Sequence, residues 1–296
     1  HNYYQVRELY LTNKALVADM GGPGELVADF SPGKGFPSVS VTGRKCGLMC
    51  AHCMGRHLCG MAPSEDPEAL LEVAERVLRT GGEGMLLSGG SGKDGRVPLA
   101  PFASAIRRIS NSGLLINAHP GVIGPKDASL LVSSGVSRFS VDVHQDPYVI
   151  GSVFNLPGPE VYEGTIDAIL GAGGVPVPHL TAGLGDRDIA GSAELLVKKG
   201  IMHAVLLALV PTRGTPFENR GASEGDVTEA VGILSDMGIS VTLGCMRDRS
   251  MRGLEMKCVE MGVRAIANMS RDTEGHLVSE GFRVKSFRRC CCFGSE

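Results

Sequence analysis

Between residues 38 and 270, short apolar or β-branched runs alternate with longer stretches whose apolar positions recur at helical spacing. The short runs predict strands at residues 38–41, 85–88, 114–118, 137–143, 175–181, 204–210, 240–243 and 265–267. Between them, residues 67–79 carry Leu70, Leu71, Val73, Val77 and Leu78 on one helical face, with Glu68, Glu72 and Glu75 interleaved. Asp66 before Pro67 reads as an N-cap followed by a proline in the first helical turn. Residues 102–109, 160–170, 190–199, 224–237 and 250–261 fit further helices. Eight strand–helix units in one chain predict an α/β fold, a (β/α)8 TIM-type barrel that is closed or nearly closed. An open doubly wound sheet uses the same alternation. The count of eight and the polar motifs after nearly every strand favour the barrel, where all strand ends converge on one face. On this reading residues 1–35 are an N-terminal extension and residues 36–270 the barrel. Residues 271–296 show no helical period and form a Cys-rich tail that caps the barrel mouth.

The chain has 296 residues, of which 43% are hydrophobic and 21% charged, so a large packed core is expected and bulk disorder is not. Only 5% are aromatic and Trp is absent, which leaves aliphatic side chains and Met to fill that core. Net charge is −3 with no long basic run, which gives no electrostatic footprint for nucleic acid. The longest apolar run, residues 204–210, is too short to cross a membrane. No signal-peptide pattern opens the chain, and a cytoplasmic location is expected.

The 9 cysteines change the picture. An odd count, gathered at Cys46, Cys50, Cys53 and Cys59 and again at Cys290, Cys291 and Cys292, favours metal over disulfides. Cys46-Gly-Leu-Met-Cys50-Ala-His-Cys53 follows the first predicted strand. Three thiolates at this spacing suit three irons of a [4Fe–4S] cube and leave the fourth iron open. Structural zinc, with His57 or Cys59 as fourth ligand, is the alternative, although no second knuckle lies nearby. Of the remaining cysteines, Cys258 reads as core, and Cys59 as either packing or an exposed thiol.

This loop, with His52 at the often aromatic position before its last cysteine, resembles the radical S-adenosylmethionine (SAM) superfamily. The resemblance implies a SAM-binding [4Fe–4S] cluster on Cys46, Cys50 and Cys53, with SAM chelated at the open iron. It also implies reductive cleavage of SAM to an adenosyl radical that abstracts hydrogen from an unactivated carbon. Ser88-Gly89-Gly90 occupies the place of the family's glycine-rich methionine-binding segment. A phosphate loop there fails on spacing, since Leu87 and Asp94 stand where Gly and Ser/Thr are needed. By the same resemblance Asp142 and His144, then His179 and Thr181, contact the SAM ribose and carboxylate, ordinary hydrogen bonding at a barrel mouth being the alternative for both histidines. Arg213, in Pro211-Thr212-Arg213-Gly214-Thr215-Pro216, falls in a loop near adenine and substrate. His119, in Asn117-Ala118-His119-Pro120-Gly121, is expected to face the cavity, with a structural role equally open.

Within the superfamily the layout is similar to the biotin-synthase-like branch. Cys50-Ala51-His52-Cys53-Met54-Gly55, Asn117-Ala118-His119-Pro120-Gly121, Gly244-Cys245-Met246-Arg247 and the terminal Cys run resemble the second component of the two-protein lipoyl synthases. That implies a sulfurtransferase inserting sulfur into a C–H bond of an octanoyl-lysine on a carrier protein, in lipoyl cofactor biosynthesis. The implied partners are the octanoylated carrier, a second radical SAM component, and an electron donor such as ferredoxin or flavodoxin. Cys245, Cys290, Cys291 and Cys292 are then candidates to hold an auxiliary Fe–S cluster, with Arg247 close to it. The tail thiols are alternatively a redox-labile end or a vicinal disulfide. Two other functions remain open: another enzyme of the same branch acting on a small cofactor precursor, and a non-enzymatic Fe–S protein.

Overall fold

A computed structural model describes residues 24–294. The strands are β1 (Leu26–Phe30), β2 (Ser38–Ser40), β3 (Ala62–Pro63), β4 (Gly84–Ser88), β5 (Leu115–Ala118), β6 (Arg138–Asp142), β7 (Pro176–Ala182), β8 (His203–Ala208), β9 (Ser240–Leu243), β10 (Ala265–Ala267) and β11 (Arg283–Phe287). The helices are α1 (Pro67–Arg79), α2 (Ala103–Asn111), α3 (Pro125–Ser133), α4 (Pro147–Phe154), α5 (Glu160–Gly171), α6 (Asp186–Lys198), α7 (Glu224–Asp236), α8 (Leu254–Glu260) and α9 (Arg271–Ser279). As expected, the Asp66 carboxylate caps α1, accepting from the Ala69 amide at 2.8 Å.

The sheet does not close, so the barrel expectation is corrected to an open half-barrel. Its 11 strands run β11-β1-β10-β9-β8-β7-β6-β5-β4-β2-β3, and the pairings are parallel. The first predicted strand, β2, pairs with β3 and β4 and makes no ladder with β10. Instead β1, from the segment read as an extension, takes the place beside β10, and β11 from the tail adds beyond it. Both edges are blunted. β3 ends in Pro63, which has no N–H to offer a further strand, and β11 presents exposed Arg283 and Lys285. The tail also carries α9, capped by the Ser270 hydroxyl, where no helical period was read.

Side-chain alternation sorts the strands onto two faces. The outer face (Ile116, Phe139, Val141, Leu180, Leu206) packs under the helices in the main core. The inner face collects Phe30, Val177, Val205, Leu207 and Ala267. The same face also carries polar side chains: Asn117 on β5, Ser140 and Asp142 on β6, His179 and Thr181 on β7, His203 on β8. Closed barrels fill this space with side-chain layers from opposite strands. Here the segment after β11 fills it: Cys291, Cys292 and Phe293 are buried against the inner face. Phe293 meets Phe36 edge-on at 5.9 Å, and the Arg138 guanidinium lies 5.4 Å from its ring centroid. Among the described residues no helix is long and apolar enough to cross a membrane.

Candidate active site at the open mouth of the sheet

The strand C-terminal ends converge on one rim, and the cysteine loop sits there between two neighbours. On one side the Gly47 and Leu48 amides donate to the Ser91 carbonyl at 2.7 and 3.1 Å. On the other, Asn155 caps α4 in the left-handed region and its side-chain amide donates to the Leu48 and Met49 carbonyls at 2.9 and 3.1 Å. Ala51 N donates to Val153 O at 2.7 Å. The loop is therefore held by backbone contacts on both flanks, while Met49 and Met54 take positive φ values of 50° and 46°.

Cys46, Cys50 and Cys53 are partly buried and unbridged. Burial raises the thiol pKa of Cys50, and Cys53, Cys46 and Asp142 raise it further. Cys53 is raised by burial and then by Cys46 and Asp142. Three thiols are thus gathered in one short loop, and Cys50 and Cys53 resist ionisation there, a donor set that a cationic iron centre neutralises. The residues present therefore fit a cluster.

The glycine segment after β4 serves close approach. A Cβ on Gly90 would stand 2.0 Å from the Lys45 carbonyl oxygen and 2.6 Å from the Cys46 Cα. The Gly90 amide donates to Thr42 Oγ1 at 2.6 Å, Gly89 lies against the same threonine, and Ser88 Oγ donates to the His119 carbonyl at 3.0 Å.

Below the loop lies a polar group on the inner face. His119 Nε2 and Asp142 Oδ2 are 3.1 Å apart, and the His119 and His179 rings stack at 6.2 Å. Burial alone would raise the Asp142 carboxyl; His119, His144 and His179 overturn that and hold it below the carboxylate range. His119 is raised, its desolvation outweighed by Asp142. His179 is lowered by burial and by His119; its Nδ1–H donates to the Val177 carbonyl at 3.0 Å, leaving Nε2 as the free nitrogen. His144 is not part of this group. It is buried, 2.6 Å from Asp188 Oδ2, and its ring stacks on Phe154 at 4.1 Å. It braces Phe154, which meets the His52 ring at 5.1 Å.

A small open cleft lies beside the loop, lined by His52, His57, Phe154, Thr181, Leu184, Leu209, Val210 and Met246. Its walls are mostly apolar. Arg213 is exposed on the loop after β8.

The tail brings one thiol up to the polar group. The Asn117 amide, locked to Ser140 by contacts of 2.9 and 3.0 Å, donates to Cys290 Sγ at 3.5 Å. Thiol contacts from Cys291 and Cys292 lower the Cys290 pKa against its burial, and His179 adds to the lowering. Cys291 and Cys292 themselves are raised, the first by Cys290 and burial, the second by burial and Cys290, and both pack as core. Cys245 lies on an exposed turn after β9, yet burial and then Cys290 raise its thiol. Arg247 is occupied elsewhere: it is buried, ion-paired to Glu255, and donates to the Gly244, Ala267 and Asn268 carbonyls. Cys258 is core and Cys59 exposed.

The structure thus brings together Asp142, His119, His179 and Cys290, and sets the cysteine loop above them. Asn117 was quoted only as part of a motif, although period two from His119 already places it on the same face. Phe154 and Asp188 carried no signal, because their roles depend on packing between distant elements.

No protein-family profile matches this sequence, and no curated protein sequence matches it. Solved structures do match in fold. The chain is similar to methylornithine synthase (TM-score 0.63, 12% identity, covering 92% of this chain and 81% of that one). It is also similar to the FeFe-hydrogenase maturase HydG from Carboxydothermus hydrogenoformans (TM-score 0.65, 18% identity, 95% and 72% covered). A third is native anSMEcpe with bound AdoMet (TM-score 0.52, 11% identity, 85% and 66% covered).

Proposed function

We propose that the chain is a radical SAM enzyme that inserts sulfur into an unactivated C–H bond of a carrier-bound octanoyl-lysine. The observation that carries the radical SAM reading is the C-x3-C-x2-C loop, braced on both flanks over the inner face of an open parallel half-barrel. One protein of similar fold is described with bound AdoMet. Cys46, Cys50 and Cys53 would hold the [4Fe–4S] cluster, which when bound supplies the electron that cleaves SAM to a 5′-deoxyadenosyl radical.

The chain's own residues do the rest. Gly89 and Gly90 let the β4 loop approach the cysteine loop closely enough to bind there. Phe154, braced by His144, fixes the His52 side of the cleft. Leu184, Leu209, Val210 and Met246 give an aliphatic wall that excludes water and suits an acyl chain. Asp142 and His119, as an acid–base pair, hold a proton between them near the cleft and orient polar groups of SAM or substrate.

The sulfur-insertion reading is supported by the thiol of Cys290 at the inner face and that of Cys245 on the turn after β9, close enough for Cys290 to raise it. They would hold an auxiliary Fe–S group whose chemistry is sulfur supply. Cys291 and Cys292 fit packing better than ligation, and Arg247 is committed to Glu255, so neither belongs in the proposed set. An octanoylated carrier protein, a second radical SAM component and a ferredoxin- or flavodoxin-type donor are the partners this reading requires.

The test is iron and sulfide per chain after anaerobic reconstitution, in the wild type and in a Cys46→Ala/Cys50→Ala/Cys53→Ala variant. About eight irons in the wild type and about four in the variant support two clusters. No iron in the variant removes the auxiliary group and with it the sulfur source. An octanoyl-lysine peptide whose mass stays unchanged after incubation with SAM, reductant and partner refutes the lipoyl reading.

A further inference from the structure

The cysteine loop contains a second donor set. A nitrogen of His52, the Cys53 thiol and a nitrogen of His57 all lie within 4.8 Å of one another. The backbone creates this proximity. Cys53 N and Met54 N both donate to Cys50 O, Arg56 N donates to Cys53 O, and Leu58 N donates to Gly55 O. Gly55, with φ +74°, turns the chain into the short 3-10 helix Arg56–Gly60, which carries His57 back over the loop. The His52 and His57 ring centroids are 5.9 Å apart. Independently, His52 Nδ1 is buried with no hydrogen-bond partner, an arrangement that costs free energy unless something binds the nitrogen. Both imidazoles line the cleft, which leaves room for a water as a further ligand.

We propose that His52, Cys53 and His57 form a site of one thiolate and two imidazoles for a divalent thiophilic ion, zinc foremost, occupied when no iron–sulfur cluster is present. Zinc prefers four ligands from thiolate and imidazole, at about 2.3 Å to sulfur and about 2.0–2.1 Å to nitrogen. Binding takes the Cys53 thiol as thiolate and releases its proton to solvent. The site itself stands on this geometry alone. Its exclusivity rests on the cluster reading, because Cys53 belongs to both sets. Zinc and cluster assembly then compete for one loop, and zinc holds the chain in a cluster-free state.

Cobalt(II) is the probe, added to the iron-free full-length chain. The Cys46→Ser/Cys50→Ser variant is used first, since it cannot form a three-thiolate site. One cobalt per chain is expected, with a sulfur-to-cobalt charge-transfer band and tetrahedral visible bands that zinc displaces. Adding His57→Gln weakens binding by at least about tenfold, while His57→Cys restores it with a stronger sulfur band. In the otherwise native chain, equimolar zinc lowers iron uptake during reconstitution, and His57→Gln keeps its iron under the same challenge. Absence of the sulfur–cobalt band, or its persistence unchanged in His57→Gln, overturns the proposal. A wild type that takes iron but shows no such cobalt site overturns it too, and leaves the cluster reading standing. A wild type that binds cobalt here but takes no iron removes the cluster reading and supports the thiolate–imidazole site.

Discussion

The His119–Asp142 pair holds a proton on the inner face of the sheet, and its pH dependence has a defined sign. Folding lowers the Asp142 pKa, so its contribution is present above the unfolded carboxylate value of about 3.9 and is lost as pH falls through the folded value. Folding raises the His119 pKa, so its contribution is full below the unfolded imidazole value of about 6.5 and fades as pH rises through the folded value. The stability gap between wild type and His119→Gln should be widest between about pH 4 and pH 6.5 and narrow on both sides, as read from melting temperatures across pH. Solvent reaches roughly a third of each side chain (31% and 38% exposed), which keeps the gap small. Gly90 makes a sharper prediction. Gly90→Ala places a methyl group against the Lys45 carbonyl and Cys46 Cα, so the cysteine loop must shift. Iron content after reconstitution should fall by more than half while far-UV circular dichroism stays unchanged. At this scale the gathering of Cys46, Cys50 and Cys53 was legible because their spacing already puts the three thiols in one short loop. For His144 the sequence left SAM contact and ordinary hydrogen bonding both open, and Asp188 and Phe154 hold it in the packing.

Among the elements, those with strong period and clear caps were the ones the sequence disclosed. α1 shows both, with Asp66, Pro67 and a charged outer face, and its bounds are those expected. α4 was missed because Tyr148, Val149, Ile150 and Val153 are strand-favouring residues, and the Asp146–Pro147 start decides the matter instead. β1 and β11 were missed because each carries charge, with Asp29 in one and Arg283 and Lys285 in the other. They become strands only by pairing with each other and, for β1, with β10. The short turn Cys291–Phe293 is the element on which the half-barrel interior depends. Phe293→Ala removes the ring between Phe36 and Arg138 and should cost about 3 kcal/mol, seen as a lower urea midpoint with unchanged slope.

For the whole molecule, the main run of strands and their common direction were readable from alternation alone. Closure was not, because a closed and an open sheet share the same local pattern and differ only in which strands become neighbours. That choice is made by residues far apart in the chain: the Met269 amide donates to Asp29 at a separation of 240, and Glu25 pairs with Arg264 at 239.

This arrangement sets an order of events during synthesis. β1 emerges from the ribosome before every other described strand, yet its two partners, β10 and β11, are the last of those strands to be made. It must therefore wait, unpaired and partly apolar, until the rest of the sheet exists. Contacts this distant in sequence slow folding. Refolding followed by alkylation should find Cys291 and Cys292 reactive through a late phase and protected only when that phase ends. A growing chain consequently keeps the inner face of its sheet accessible until Phe293 has been added.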